Sequence, residues 1–105
     1  MITTTPTPPY YAVIFTSVRT EGDHDYAEMA DRMVELAQKQ DGFLGLESAR
    51  NEIGITVSYW RDMESIKQWK EHAEHSIARE RGRNEWYKSF KVCIAKVERD
   101  YGFVI

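Results

Sequence analysis

The segment Tyr10–Val18 constrains the fold more than any other part of the chain. Its sequence, YYAVIFTSV, is rich in aromatic and β-branched residues and almost entirely apolar. Such a run is typical of a central strand that is covered on both faces of its sheet. Because side chains alternate along a strand, one face carries Tyr11, Val13 and Phe15, and the other carries Ala12, Ile14 and Val18. A chain with this strand must cover both sides of its sheet.

A first helix is predicted directly after this strand. Apolar residues recur at helical period over residues 26–37. Asp25 and Glu28 have the spacing of a capping box, and Asp23 is an alternative cap. Gly42 follows the last periodic residues, where glycine commonly ends a helix. These signals predict one amphipathic helix between the first two strands.

The remaining elements are two strands, a second helix and a last strand. Strands are predicted at 43–50 and 55–60, and the short turn between them makes a hairpin. Asp62 is predicted to cap the second helix. A last strand is predicted at 90–97, after a short helical turn at 84–89. The buried stripe of the second helix is predicted to comprise Ile66, Trp69, Ala73 and Ile77.

The resulting order βαββαβ predicts a ferredoxin-like α+β fold, a four-stranded antiparallel sheet with both helices on one face. Two helices cover only one face, so the apolar second face of the first strand predicts a homodimer packed sheet to sheet. The pocket of each subunit would lie between its own sheet and its helices. Residues 1–9, with three prolines, are predicted to be a flexible lead. Residues 10–105 are predicted to form a single domain that ends in an apolar tail.

Composition excludes several classes of protein. A length of 105 residues corresponds to one domain. The formal net charge of -3 gives no basic surface for nucleic acid. No apolar run approaches the ~20 residues that span a bilayer, and the N-terminus lacks the features of a secretory signal. Cys93 is the only cysteine, which fits a reducing compartment. We therefore expect a cytoplasmic protein without a nucleic-acid or membrane partner.

The richest candidate site is the segment from residue 59 to residue 87, which holds all three tryptophans and two of the three histidines. His72, His75 and Arg79 are spaced three and four apart, so they share one stripe of the second helix, with Trp69 beside His72. This stripe borders the buried one. It is either a pocket edge whose imidazole transfers protons near neutral pH, or simply the polar border of an amphipathic helix. The second interpretation is favoured for His75, and the two are balanced for His72.

Other residues of this segment have more than one possible role. Tyr59 and Trp60 alternate at a strand end, so one faces the helices and the other faces the dimer partner. Trp86 would pack over the second helix or close the pocket mouth. A pair of histidines three apart could bind a metal, but the third ligand of a closed site is missing. No metal site is expected.

Several motifs resemble the antibiotic biosynthesis monooxygenase superfamily. They are the strand ITVSYW at 55–60 with the following Arg61-Asp62, and the run Trp69-x-x-His72-x-x-His75-x-x-Ala78. The later Gly82-Arg83-x-x-Trp86-Tyr87 and Val97-Glu98-Arg99-x-Tyr101-Gly102-Phe103 are similar to one bacterial branch, that of haem-degrading or antibiotic-biosynthesis monooxygenases. The resemblance spans residues 10–103.

This resemblance implies a dimeric α/β-barrel made of two ferredoxin-like subunits. Members that oxygenate aromatic polyketides need no metal, flavin or haem, because the deprotonated substrate itself reduces oxygen. Carried over to this chain, the resemblance implies His72 as the base and Arg79 as the anion stabiliser. The residues predicted to bind a small planar aromatic substrate are Trp60, Trp69, His75, Phe15 and Trp86.

The resemblance also leaves two alternatives open. Haem-degrading members use an asparagine on the first strand and a tryptophan and a histidine on the second helix. Trp69 matches, but Arg79 stands where the histidine would fall, and residues 15–17 stand where the asparagine would fall. Haem breakdown would then need His72 or His75 as an unorthodox axial ligand. The other alternative is a non-catalytic ligand-binding or stress-associated dimer with the same fold.

Overall fold

The computed structural model describes residues 2–23, 25–75 and 86–105, without the side chains of residues 74 and 75. The elements are β1 (Tyr10–Arg19), α1 (Tyr26–Gln38), β2 (Phe43–Arg50), β3 (Gly54–Trp60), α2 (Met63–His75) and β4 (Tyr87–Val97). The four strands form one antiparallel sheet in the order β2-β3-β1-β4. The predicted ferredoxin-like α+β fold is confirmed. The dimer stays a prediction.

The strand register assigns each side chain to one of two faces. Tyr11 lies opposite Trp60, and Ser17 lies opposite Gly54. Because Trp60 contacts Trp69 of α2, the face that carries these residues is turned toward the helices, and we call it the helix face. Its positions on β1 are Tyr11, Val13, Phe15 and Ser17. The opposite face is called the outer face; its positions on β1 are Tyr10, Ala12, Ile14 and Thr16.

The start of α1 differs from the predicted capping box. Asp25 has a left-handed backbone, with φ of 66°, and its side chain makes no capping hydrogen bond. An N-cap side chain reaches the first turn from an extended backbone, so Asp25 is in the wrong conformation for this role. Asp23 takes it instead, because its Oδ1 accepts a hydrogen bond from the Ala27 amide at 3.3 Å. The helix ends at Gln38, before the predicted glycine.

The junction between β3 and α2 follows the prediction closely. Asp62 Oδ1 accepts hydrogen bonds from the Ser65 amide at 2.8 Å and the Ser65 hydroxyl at 2.7 Å, which caps α2. The Arg61 amide donates to the Gly42 carbonyl at 2.7 Å, and its guanidinium pairs with Asp41 at 3.0 Å. The turn before β2 is thereby tied to the start of α2. Gly42 has φ of +86°, and a Cβ there would lie 2.1 Å from Ser65 Oγ.

Two other boundaries need correction. β4 begins at Tyr87, so the predicted helical turn is wrong for residues 87–89. The reason is pairing across the sheet, since Tyr87 lies opposite Arg19 and Ser89 lies opposite Val18. In the predicted stripe of α2, Ile66 is buried but Trp69 and Ala73 are partly exposed. Ile77 lies outside the described residues.

The two chain ends meet the sheet at its outer face. Thr3 donates its amide to Glu47 and its hydroxyl to the Leu46 carbonyl, both at 2.9 Å, although the flexibility of residues 1–9 stays a prediction. At the other end, the Tyr10 hydroxyl donates to Asp100. Beyond this contact the tail leaves the sheet, with its large apolar side chains almost fully exposed: Tyr101, Phe103, Val104 and Ile105. Neither helix within the described ranges has the length and apolar content needed to cross a bilayer.

Candidate functional site

Three rings form a continuous stack between the sheet and α2. Trp60, the last residue of β3, is completely buried. Its ring lies 6.0 Å from that of Trp69, with 25° between the planes. Trp69 lies 5.9 Å from the His72 ring, with 28° between the planes. Because Trp69 is partly exposed and His72 is exposed, the stack runs from the core to solvent.

The inner end of this stack is fixed by its neighbours. The Trp60 indole N–H donates to Ser58 Oγ at 2.9 Å, so the one polar atom of the buried ring is satisfied. Phe43 packs against the same ring edge to face, with the centroids 5.3 Å apart. A fully buried ring cannot contact a ligand directly. Trp60 therefore supports Trp69, which is the ring of the pair that a ligand can reach.

A second aromatic cluster occupies the other end of the helix face. The Phe15 ring lies 5.4 Å from Tyr87 and 5.5 Å from Phe90. Tyr26, the first residue of α1, lies 5.7 Å from Tyr87 and 5.8 Å from Trp86. Trp86 is buried, with 3% of its surface exposed. Among the described residues it packs on the first helix, and its predicted place over the second helix or at a pocket mouth stays a prediction.

The hydroxyl of Tyr87 lies within this cluster. It donates a hydrogen bond to the Tyr26 hydroxyl at 3.1 Å. Burial raises the pKa of Tyr87, and the hydrogen bond to Tyr26 raises it further, while the positive charges of Arg50 and Arg19 act in the opposite direction. The effect of burial on the pKa is the larger one, because the phenolate loses more free energy of solvation than it gains from its attraction to the two cations. Tyr87 is thus a neutral hydrogen-bond donor at neutral pH.

Two arginine side chains lie beside the second aromatic cluster. The guanidinium carbon of Arg19 lies 3.6 Å from the centroid of the Tyr26 ring, and its Nε donates to the Trp86 carbonyl at 3.3 Å. The guanidinium carbon of Arg50 lies 5.9 Å from the same ring, and one Nη donates to Ser17 Oγ. Sequence reasoning missed both arginines. The one available signal was a glycine, Gly54, across the hairpin from Arg50, because a glycine there leaves room for the arginine side chain.

An accessible apolar strip lies between the two ends of the helix face. Val13 lies opposite Ile94, and Phe15 lies opposite Val92. Val92 and Ile94 are 48% and 49% exposed, although they lie on the side of the sheet that carries the helices. The four steps from Tyr11 to Phe15 correspond to ~13 Å of strand. This strip is large enough for a flat apolar molecule.

Within the described part of the chain this strip is open, and the enclosed pocket stays a prediction. Two depressions lie away from the ring stack. One of about 230 Å³ lies at the β1–β4 end of the sheet around Thr16, Val18 and Lys91, and one of about 350 Å³ lies on α1 between Glu28 and Arg32.

The remaining predicted site residues are only partly placed. Arg79 lies outside the described residues, as does the side chain of His75, so the roles of both stay predictions. In the described ranges, no group of three histidine, cysteine, aspartate or glutamate side chains could hold a metal ion. The helix face of β1 carries Phe15 and Ser17 where the haem-degrading pattern would need an amide.

The fold and the site together define a class of protein. A ferredoxin-like subunit with an aromatic stack under its second helix and an accessible apolar strip has the architecture of a domain that binds small apolar molecules. The model of the family Antibiotic biosynthesis monooxygenase matches residues 9–81. The chain belongs to this family.

Individual relatives agree with this assignment. The protein YqjZ of Bacillus subtilis (strain 168) is 57% identical over 97 residues, which cover 90% of this chain and 85% of the relative. Rv0793 from Mycobacterium tuberculosis has a similar structure, with a TM-score of 0.75 at 10% identity, over 89% of this chain and 99% of that one. A mutant of MhuD with two manganese protoporphyrin IX molecules per active site has a TM-score of 0.67 at 21% identity, over 89% and 99% of the two chains. At these identities, the two structures show the shared fold alone.

Proposed function

We propose that this protein is a monooxygenase that oxidises a small planar aromatic or quinol-type molecule with O₂, without metal, flavin or haem. Membership of the family supports the general class of reaction. The observation that carries the finer proposal is the stack of Trp60, Trp69 and His72. Its outer rings offer a planar substrate a surface on which to lie and an imidazole that can take up a proton.

The chemistry follows from these two groups for a substrate with an acidic CH₂, such as an anthrone. The neutral imidazole of His72 removes one proton. The resulting anion reduces O₂, and a peroxide forms at the same carbon. His72 returns its proton to the outer oxygen of this peroxide and then takes the second proton from the same carbon as the O–O bond breaks. The departing hydroxide takes that proton from His72 and becomes water. One oxygen atom remains as a ketone and the other leaves as water, so the substrate supplies all the electrons. Arg79 is proposed to stabilise the anion.

Oxygen uptake with a panel of anthrones and hydroquinones tests this proposal. We expect turnover by the wild type and a loss of ~10²- to 10⁴-fold in His72→Ala, the range typical of a removed general base. Lys70→Ala is the matched control, because Lys70 is exposed on α2 and lies about 160° around the helix from His72. Equal rates for wild type and His72→Ala would contradict the role of His72. Binding without oxygen uptake would indicate a non-catalytic ligand-binding protein.

Haem degradation fits the described residues less well. Its family pattern requires an asparagine on the first strand, but β1 contains none, and its helix face offers Phe15 and Ser17. A titration with haem tests this view, because axial ligation by His72 or His75 would shift the Soret band strongly.

We further propose that two copies pack through their outer faces. Ile55 on this face is 45% exposed, and the tail carries Phe103 and Ile105 into solvent. A stable interface of this kind buries ~2,000 Å² or more in total. Light scattering at micromolar concentration should therefore report a dimer, and a monomeric mass would rule the proposal out.

A further inference from the structure

The position of the Arg50 side chain depends on a glycine in the neighbouring strand. Arg50 ends β2 and lies opposite Gly54, the first residue of β3. A Cβ at Gly54 would lie 2.1 Å from both Arg50 Cζ and one of its Nη atoms. The guanidinium therefore occupies the space that any larger residue at position 54 would fill. It lies on the helix face, because Gly54 pairs with Ser17 and Arg50 donates to the Ser17 hydroxyl.

Among the described residues, a second cation lies near this guanidinium and no carboxylate pairs with it. Arg19 lies against the same Tyr26 ring, so two cations converge on one tyrosine. Among residues 2–23, 25–73 and 86–105, ion pairs join Arg61 to Asp41 and Asp62, and none involves Arg50 or Arg19. Both guanidinium groups are close enough to Tyr87 to act on its hydroxyl. This end of the helix face is thus a local positive region in a chain with a net charge of -3.

The same guanidinium lies next to an aromatic surface. Ser17, which holds Arg50, lies opposite Phe90 and is two residues from Phe15, or ~7 Å along the strand. The rings of Phe15 and Phe90 stack with an angle of 29° between them. A two-ring aromatic that lies over these side chains would direct a ring substituent toward Arg50. The accessible strip that contains Val92 begins at the same place.

We propose that Arg50 binds the carboxylate of an aromatic acid whose rings lie over Phe15 and Phe90. This binding site lies at the opposite end of the helix face from Trp69 and His72, so it goes beyond the proposed function and does not depend on it. Arginine presents five N–H donors in a planar fork that matches a carboxylate. The hydrogen bond to Ser17 uses one donor and orients the fork, so the others remain for a ligand. A charge-assisted, two-point contact of this kind gives both affinity and orientation.

Calorimetric titration with 2-naphthoate and 2-naphthamide tests the proposal, because the two probes share a shape and differ in charge. We expect the wild type to prefer naphthoate by roughly ten- to hundredfold, the strength typical of hydrogen bonds to a charged group. Arg50→Gln should remove the preference and leave naphthamide binding within about twofold. Arg32→Gln is the control, because it removes the same charge from an exposed position on α1. No preference in the wild type, or equal losses in both variants, would overturn the proposal.

Gly54→Ala tests the position of the Arg50 guanidinium, because it moves this group without removing its charge. The new Cβ would displace only the end of a flexible side chain, so the variant should fold with an unchanged melting temperature. We expect it to lose the naphthoate preference although Arg50 is still present. A Gly54→Ala protein that binds naphthoate as the wild type does would show that the held position is irrelevant, and would overturn the proposal.

The outcomes distinguish this inference from the proposed function. An intact, Arg50-dependent preference without oxygen uptake on any substrate means that the carboxylate site stands and the oxygenase proposal fails. Oxygen uptake without any carboxylate preference means the reverse. Protoporphyrin IX, whose propionates carry the same chemistry, is the third probe. If its binding depends on Arg50 while that of naphthoate does not, the assignment to a small aromatic acid is overturned.

Discussion

The two ends of the helix face are both aromatic, but they are built in different ways. At one end, Trp60, Trp69 and His72 form a stack that runs from the core to solvent. At the other end, Tyr26 and Tyr87 meet edge to face and share a hydrogen bond, beside two guanidinium groups. The first end offers an imidazole to a planar ring. The second offers positive charge to an anion. A ligand that uses both would be held by one end and deprotonated at the other.

The two ends also differ in how far apart in the sequence their residues lie. The stack comes from neighbours in sequence, because Trp60 immediately precedes the turn into α2 and Trp69 and His72 are three residues apart. The arginine end draws on residues of β1, α1, β2 and β4, which come together only when the sheet has formed. Substitutions of Trp60 and Trp69 should therefore act mainly on the local core, and those of Arg50 on binding.

The largest effect on stability is expected from Trp60→Ala. Trp60 is completely buried, packs against Phe43 and Trp69 and donates to Ser58. Truncation of a buried tryptophan typically costs about 3–5 kcal/mol. Urea denaturation with an unchanged slope would measure it, with Met63→Ala as a control, because that exposed side chain should contribute less than about 0.5 kcal/mol. A loss below about 1 kcal/mol would show that the inner end of the stack is not part of the core.

Trp69→Ala should cost less, roughly 2–3 kcal/mol, because part of the ring is already in contact with solvent. The same substitution removes the ring that lies under His72. The His72 ring-proton signals in the NMR spectrum should therefore move, while Trp69→Phe, which keeps an aromatic ring, should restore much of the original shift. Unchanged His72 signals in Trp69→Ala would show that the two rings do not stack in solution.

The same contrast explains what could be predicted from sequence. Helical and strand periods placed all six elements, and the spacing of Trp69 and His72 placed them side by side. Tyr87 was assigned to a helical turn because its local sequence carries no strand pattern, and only pairing with Arg19 across the sheet makes it a strand residue. Arg50 could not be recognised, since its position depends on the absence of a side chain at Gly54 in another strand. Long-range pairing, rather than local propensity, decided both cases.

Two glycines provide a matched comparison of the two ends. Gly42 has φ of +86°, and its Cβ would meet Ser65 in the first turn of α2, so Gly42→Ala should lose about 1–3 kcal/mol. Gly54 has no positive φ, and its Cβ would meet only the end of the Arg50 side chain. Gly54→Ala should therefore change the melting temperature little. The two thermal unfolding curves test this contrast, and equal losses would mean that the arginine end is as tightly packed as the start of α2.

The smallest effect concerns the pH dependence of the arginine end. Burial first, and then the hydrogen bond to Tyr26, raise the pKa of Tyr87 above its ordinary value. A tyrosine whose pKa is higher in the folded state binds its proton more tightly when folded. Its contribution to stability is thus fully present below the unfolded pKa of ~10 and is lost as the pH rises through the folded pKa.

Tyr87→Phe should therefore flatten the fall in stability above pH ~10, at the expense of the hydrogen bond at neutral pH. Tyr101→Phe is the control, because Tyr101 is 91% exposed in the tail. Urea midpoints measured from neutral to alkaline pH would show the difference. If both variants lose stability above pH ~10 as steeply as the wild type, the Tyr87 hydroxyl is solvated in solution. The second aromatic cluster would then be open to water, and a bound carboxylate there would compete with solvent for Arg50.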